Sequence, residues 1–253
     1  VTFIEADLRN SIEVFNLPKV NFIINQSAVA GLPLSWKDIN LYLSCNVTVV
    51  SNLIKYAQLN DVSRFIHAST SSVYGKTAIG IEDQKLQPIS PYGISKLAGE
   101  HIIQEHLDVR HSYAVPYTIF RFYNVIGTEG YPPTNPEGLM LNLMKIKETG
   151  KFTIFGSDYN TKDGTCVREY VHVMDICRAL ETAIEKPSHG IENLAYGDTR
   201  TTKEIVYTFC DVNDLYCSIE YGPRREGDLE ACYLKNPSPY MQRNYTYEEM
   251  LKI

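Results

Sequence analysis

Arg64-Phe65-Ile66-His67-Ala68-Ser69-Thr70-Ser71-Ser72-Val73-Tyr74-Gly75 is the stretch that decides the fold. A short apolar run, Arg64 to Ala68, ends in four consecutive hydroxyl residues and a turn. Such a run reads as a strand. Helical patterns flank it, Asp38 to Gln58 upstream and Tyr92 to Leu107 downstream. Further strands are expected at Val20 to Ile24, Tyr117 to Phe122 and Tyr170 to Val173. Short β-rich runs separated by helices of this length predict β-α-β crossovers and a doubly wound parallel α/β sheet. Ligands in such folds bind outside the carboxyl ends of the strands, which is where the hydroxyls of residues 69–72 fall. A Ser-rich loop bonded to its own backbone reads equally from the composition.

Tyr92-Gly93-Ile94-Ser95-Lys96 is a Y-x-x-x-K opening a helix directly after Ser90-Pro91. Chance predicts roughly one such spacing in a chain of this make-up, so the motif is weak alone. Its placement puts residues 92 and 96 on one helix face. A free Tyr ionises near pH 10, and a close Lys cation lowers that toward working pH. The pair can therefore serve as general base for an alcohol. An exposed Tyr–Lys contact on a surface helix is the competing reading.

The 253 residues are 44% apolar and 21% charged, an ordinary globular balance with ample material for a core. Thirty Asp and Glu against 24 Lys and Arg give a net charge of −6, the wrong sign for a nucleic-acid or anionic-membrane binder. No apolar run reaches the ~18 residues of a membrane span. The opening residues carry no basic leader pattern. The six cysteines form no C-x-x-C, and the six histidines no H-x-x-x-H. Reduced thiols, no metal site and a cytoplasmic location are expected. Val1-Thr2-Phe3-Ile4 reads as a strand without a preceding Met, so the chain is expected to lack its start, roughly 50 residues forming one β-α-β unit. Beyond Gly127, Pro132-Pro133, Pro136 and Gly138 change the texture, and a domain boundary is expected there.

Three motifs taken in order carry a resemblance: Ser69 to Gly75, Ser90 to Lys96, and Arg121-Phe122-Tyr123-Asn124. Together they resemble the extended short-chain dehydrogenase/reductase superfamily. Within it, Asp158-Tyr159-Asn160-Thr161-Lys162-Asp163-Gly164-Thr165-Cys166-Val167-Arg168-Glu169-Tyr170-Val171-His172-Val173 closely resembles the UDP-glucose 4-epimerase signature, and Gly222-Pro223-Arg224-Arg225-Glu226-Gly227-Asp228 is similar to the same family. The resemblance covers essentially the whole chain. It implies a Rossmann-type, NAD-binding domain of residues 1–125 plus about 167–198, lacking its glycine-rich unit. It also implies a smaller mixed α/β nucleotide-sugar domain of 126–166 plus 199–253. The implied activity is NAD-dependent epimerisation at C4 of a UDP-hexose, with N-acetylhexosamines as further substrates, through a 4-keto intermediate. A UDP-uronate 4-epimerase, or a catalytically inactive scaffold that keeps the fold, are the alternatives.

Carried over residue by residue, the resemblance makes Tyr92 the catalytic base, Lys96 the holder of the nicotinamide ribose and Thr70 the partner of the reacting hydroxyl. Asp7, Asn46, Ser69, Tyr92, Lys96 and Phe122 would contact NAD, with Asp7 at the adenine. Ser72, Asn124, Leu139, Phe155, Arg168, Arg225, Asp228 and Cys232 would contact the UDP-sugar. A Cys at 232, where the family often has Tyr, would leave room beside the sugar's 2-substituent. The chain departs from the family in carrying no G-x-x-G-x-x-G, in Ala30 at a frequent Lys, and in Phe122 at a frequent Tyr. Leu41, Cys45, Val49, Leu53 and Tyr56 form an apolar helical stripe. With the resemblance, it predicts a homodimer, the alternative being that the stripe covers the sheet.

Overall fold

The computed structural model describes residues 1–75, 79–80, 85–108, 110, 114–186, 189–234 and 237–253. The chain forms two compact units. The first comprises Val1–Val73, Pro88–Arg121 and Leu180–Glu192; the second comprises Tyr74–Gln87, Phe122–Ala179 and Asn193–Ile253.

A four-stranded sheet organises the first unit, in the order Phe22–Asn25, Arg64–Thr70, Tyr117–Phe122, Gly190–Leu194. The first two strands are parallel, with Phe22 opposite Arg64 and Asn25 opposite His67. Every residue of Arg64–Thr70 is buried, the state in which a parallel strand shows a continuous run rather than alternation. The helix foreseen from Tyr92 runs Pro91–Leu107, with Pro91 in its first turn and the Ser90 hydroxyl accepting from Gly93 N. Upstream, Ile39–Leu43 and Val49–Leu59 are α-helical, joined by a π-turn over Ser44–Thr48. Val49, Leu53 and Tyr56 pack into a core with Phe65, Ile103, Leu107 and Ile119. Most of the stripe thus covers the unit's own core, while Leu41 and Cys45 are half-buried.

Val1 to Ile4 form no strand, contrary to expectation. Val1, Phe3 and Ile4 are exposed and belong to no described sheet. Extended chain becomes sheet only where a neighbour takes its N–H and C=O groups. Asp7 correspondingly does not end a strand. It opens a turn, with Asn10 N donating to its carbonyl at 2.9 Å, that leads into the helix Ser11–Phe15.

In the second unit Val167–His172 is the hub. Ala231–Leu234 and Asn124–Ile126 pair with it in parallel and Thr199–Thr201 antiparallel; Ile79–Gly80 extends the sheet beyond Ala231–Leu234. A separate parallel pair joins Lys151–Phe155 to Ser218–Gly222. The strand expected at 170–173 is therefore part of Val167–His172, in this second unit.

Candidate active site

Thr70 closes the buried strand at its carboxyl end, and Tyr92 lies in the first turn of the following helix. The two side chains are hydrogen-bonded. Thr70 Oγ1 also donates to Ser72 Oγ and accepts from Ser72 N, both at 3.2 Å. Desolvation pushes the Tyr92 hydroxyl above its ordinary range, and the Thr70 hydrogen bond works against that. Lys96, one turn along, is buried and donates from Nζ to Ala68 O at 2.6 Å. Burial brings its ammonium down to about 8, against an upward pull from Glu100. Of the pair, only Lys96 is brought toward neutral pH; the Tyr92 phenol stays above its ordinary range, against the lowering by a close Lys that the sequence predicts.

Beneath these groups the unit is held by buried polar contacts. Asn46, inside the π-turn, accepts from Val29 N at 2.8 Å and donates to Val29 O and Ser95 Oγ, each at 3.0 Å. Its amide is spent on fixing the loop after the first strand to the helix Pro91–Leu107. Ser69 donates to Glu100, which is ion-paired with Arg121 at 2.7 Å. Ser69 thereby braces the strand from below. Asp7 stands outside this cluster. Its carboxylate is clamped by Arg9, whose guanidinium at 2.7 Å holds it down at about 2. Phe122 ends the strand Tyr117–Phe122.

The second unit holds the polar residues assigned to the substrate other than Ser72, which belongs to the first. Arg168, Cα partner of Cys232 on the adjoining strand, donates to Asp228 Oδ1 at 2.5 Å and to Leu229 O at 2.6 Å. Burial works against the Arg168 charge, and Asp228 with neighbouring Cys166, Cys232 and Tyr170 more than offsets it. Asn124 Nδ2 donates to Glu169 O at 3.0 Å. Arg225 lies over the Phe155 ring at 4.1 Å, and Arg224 over the Tyr159 ring at the same distance while bonded to Asp158. Leu139 opens the helix Leu139–Met144.

The family model described as NAD dependent epimerase/dehydratase family matches residues 1–196. The chain belongs to that family. Among its relatives, UDP-glucose 4-epimerase 4 of Oryza sativa subsp. japonica is 30% identical over 237 residues, covering 87% of this chain and 63% of the relative. UDP-glucose 4-epimerase of Rhizobium leguminosarum bv. trifolii is 30% identical over 250 residues, covering 92% and 75%. The chain thus spans between about three fifths and three quarters of these relatives' length. The solved UDP-Glc/GlcNAc 4-epimerase from Campylobacter jejuni superposes with a TM-score of 0.80 at 27% identity, covering 99% of this chain and 82% of that one.

Several residues of this family member were not singled out from sequence. Gly93 is required by space: a Cβ there would lie 2.7 Å from Ser72 O and 3.0 Å from Pro88 Cβ. Its position inside Y-G-x-x-K was the available signal. Gly99 faces Asn46 O, 3.0 Å from where a Cβ would sit. The Glu100–Arg121 pair and the Asn25–His67 pair join residues far apart in sequence, and no spacing rule points to either.

Proposed function

We propose that the chain catalyses NAD-dependent 4-epimerisation of a UDP-hexose. The observation that carries this reading is Tyr92 hydrogen-bonded to Thr70 at the carboxyl end of a buried parallel strand, with Lys96 one helical turn behind. The donor set fits the nicotinamide-ribose end of the cofactor, since Lys96 gives one proton to Ala68 O and an ammonium carries three. NAD, when bound, takes up a hydride from the sugar C4 and returns it. Tyr92, as phenolate, accepts the proton of the C4 hydroxyl, and Thr70 orients that hydroxyl. Lys96 supplies the cation that keeps the phenolate accessible. The 4-keto sugar turns over while its diphosphate stays anchored, and Tyr92 then returns the proton.

Under this proposal Asp7 contacts the cofactor at its adenine side, and Phe122, the last residue of the strand Tyr117–Phe122, contacts it too. Asn124, Leu139, Phe155, Arg168, Arg225 and Asp228 of the second unit contact the UDP-sugar, as does Ser72. Cys232 leaves space for an N-acetyl group. Free thiols at all six cysteines support a cytoplasmic setting; no helix among the described residues is long and apolar enough to cross a membrane. Exposed Leu34, Trp36, Ile39, Leu43 and Ile94 support a homodimer through the first unit, to be checked by sedimentation at micromolar concentration.

The test is direct. Purified protein given NAD and UDP-galactose should form UDP-glucose until both sugars are present, with no net consumption of cofactor. A protein that binds UDP and NAD yet leaves UDP-galactose unchanged would return the reading to that of an inactive scaffold.

A further inference from the structure

His67 is a fully buried histidine on the strand that ends in Thr70, and the reaction as derived does not use it. Its Cα partner across the parallel ladder is Asn25, the last residue of the first strand. Asn25 Nδ2 lies 3.0 Å from His67 Nδ1. On the other side of the ring, His67 Nε2 lies 3.5 Å from Lys96 Nζ.

The surroundings fix which nitrogen carries the proton. Asn25 Oδ1 accepts from Ser27 N at 3.1 Å and from Ser27 Oγ at 2.5 Å. A backbone N–H can only donate, so that Asn25 atom is the oxygen and the atom facing His67 is the amide nitrogen. Asn25 therefore donates, and His67 Nδ1 accepts. The imidazole is neutral, because burial and then the nearby Lys96 hold its protonation well below the usual range. A neutral ring with Nδ1 accepting carries its hydrogen on Nε2. That N–H faces Lys96 Nζ. It can donate to a free amine, but it offers an ammonium no lone pair.

We propose that Asn25 and His67 are positioning residues for Lys96: Asn25 fixes the proton of His67 on Nε2, and that N–H denies the Lys96 ammonium an acceptor on its inner side, turning its remaining protons toward the carboxyl end of the sheet. Ala68 O takes one proton, and the others are directed to where the ribose and the reacting hydroxyl would lie. This inference rests on the epimerase reading for its catalytic consequence. The other charged or titratable groups around Lys96 are Tyr92, one turn back on its own helix, and Glu100, one turn on. Glu100 is occupied by Arg121 from the strand Tyr117–Phe122 and by Ser69 from the strand Arg64–Thr70. Asn25 and Ser27, from the first strand and its loop, are neutral.

The test is a tautomer switch. Asn25→Asp keeps the acceptor for Ser27 but presents a carboxylate to Nδ1, which draws the hydrogen to Nδ1 and exposes the Nε2 lone pair to Lys96. In ¹⁵N-histidine-labelled wild type, long-range proton–nitrogen spectra should show His67 as the Nε2–H form. In Asn25→Asp it should become the Nδ1–H form. The Lys96 titration, followed at its Cε carbon, and the alkaline limb of the epimerisation pH profile should both move up by about one unit. At neutral pH kcat should fall several-fold with KM unchanged. His67→Gln, whose amide oxygen can accept from Lys96, should shift the titration in the same direction and serves if Asn25→Asp does not fold. A wild-type ring in the Nδ1–H form overturns the proposal. So does a Lys96 titration unmoved in a folded variant, or a titration that moves while the pH limb does not. A wild type with the stated tautomer and no turnover of UDP-galactose would instead sink the epimerase reading, since the spectra do not depend on activity.

Discussion

Glu100 and Arg121, in the first unit, form an ion pair in which both side chains are wholly buried, whereas Arg224 and Asp158, in the second, pair with 47% and 73% of their side-chain surface exposed. Desolvating two charges costs several kcal/mol each, and the cost is recovered only if every remaining donor and acceptor is engaged. Glu100 meets that condition with Arg121 and Ser69. Such a pair does not exchange partners. The second unit's Arg224 and Arg225 lie over the Tyr159 and Phe155 rings, which support each cation on its face, while the N–H edge of Arg224 is taken by Asp158. The buried pair uses charge to hold a frame still, and the exposed one leaves charge at the surface.

The sharpest way to break this comparison is Tyr92→Phe. It removes only the proton acceptor, so epimerisation should fall about 10²–10⁴-fold while binding of UDP, measured by calorimetry, stays near wild type. A smaller effect on rate would place the proton elsewhere. Next comes Glu100→Ala, which leaves Arg121 buried without its counter-ion and should cost about 3–5 kcal/mol in urea unfolding. Arg225→Ala, by contrast, should leave the unfolding midpoint where it is and weaken UDP binding. If the two variants destabilised the protein equally, the distinction between frame and ligand charge would fail.

Lys96→Met tests the same distinction with the opposite sign. An unfolded lysine ionises near 10.5, and burial holds Lys96 at about 8, so between those values the unfolded chain binds more protons. The penalty for burying the charge is complete below pH 8 and disappears as pH rises toward 10.5. The variant should therefore be inactive yet more stable, by on the order of 3 kcal/mol below pH 8. That gain should shrink at higher pH, read as melting temperature across a pH series. Smallest is Cys232→Tyr. Overfilling a packed space costs about 1–3 kcal/mol, so turnover of UDP-N-acetylhexosamines should fall about tenfold more than that of UDP-hexoses. Equal losses would remove residue 232 from substrate choice.

The catalytic helix and the strand before it were legible because local chemistry dictates them. Ser90-Pro91 caps and starts one, and the uninterrupted run Arg64 to Ala68 makes the other buried. The order of motifs likewise pointed to the family. What the sequence did not announce arises from pairing at a distance. Glu100 meets Arg121 and Asn25 meets His67 only once strands and helices are in register. Val1 to Ile4 have the composition of a strand, but composition supplies no neighbour, and they lie outside every described sheet. Val49, Leu53 and Tyr56 show the same ambiguity from the other side: an apolar stripe states that it will be covered, not by what, and here much of the cover is the unit's own core.

The wide turn at Ser44–Thr48 has a consequence for how this segment can vary in length. A π-turn holds one more residue than the α-helical turns on either side of it. Deleting one residue would let the helix wind evenly, but each residue of an α-helix turns it by about 100°. Ile39–Leu43 would then swing around its axis relative to Val49–Leu59. Tyr42, whose hydroxyl donates to Ala30 O at 3.0 Å and to Gly31 O at 2.7 Å, would leave those carbonyls. Asn46 would turn away from Val29 and Ser95 with it. The extra residue therefore works as a phase-setting spacer: substitutions along this helix are judged one site at a time, but a single-residue deletion would unfasten the loop of residues 29–31 and the helix Pro91–Leu107 together.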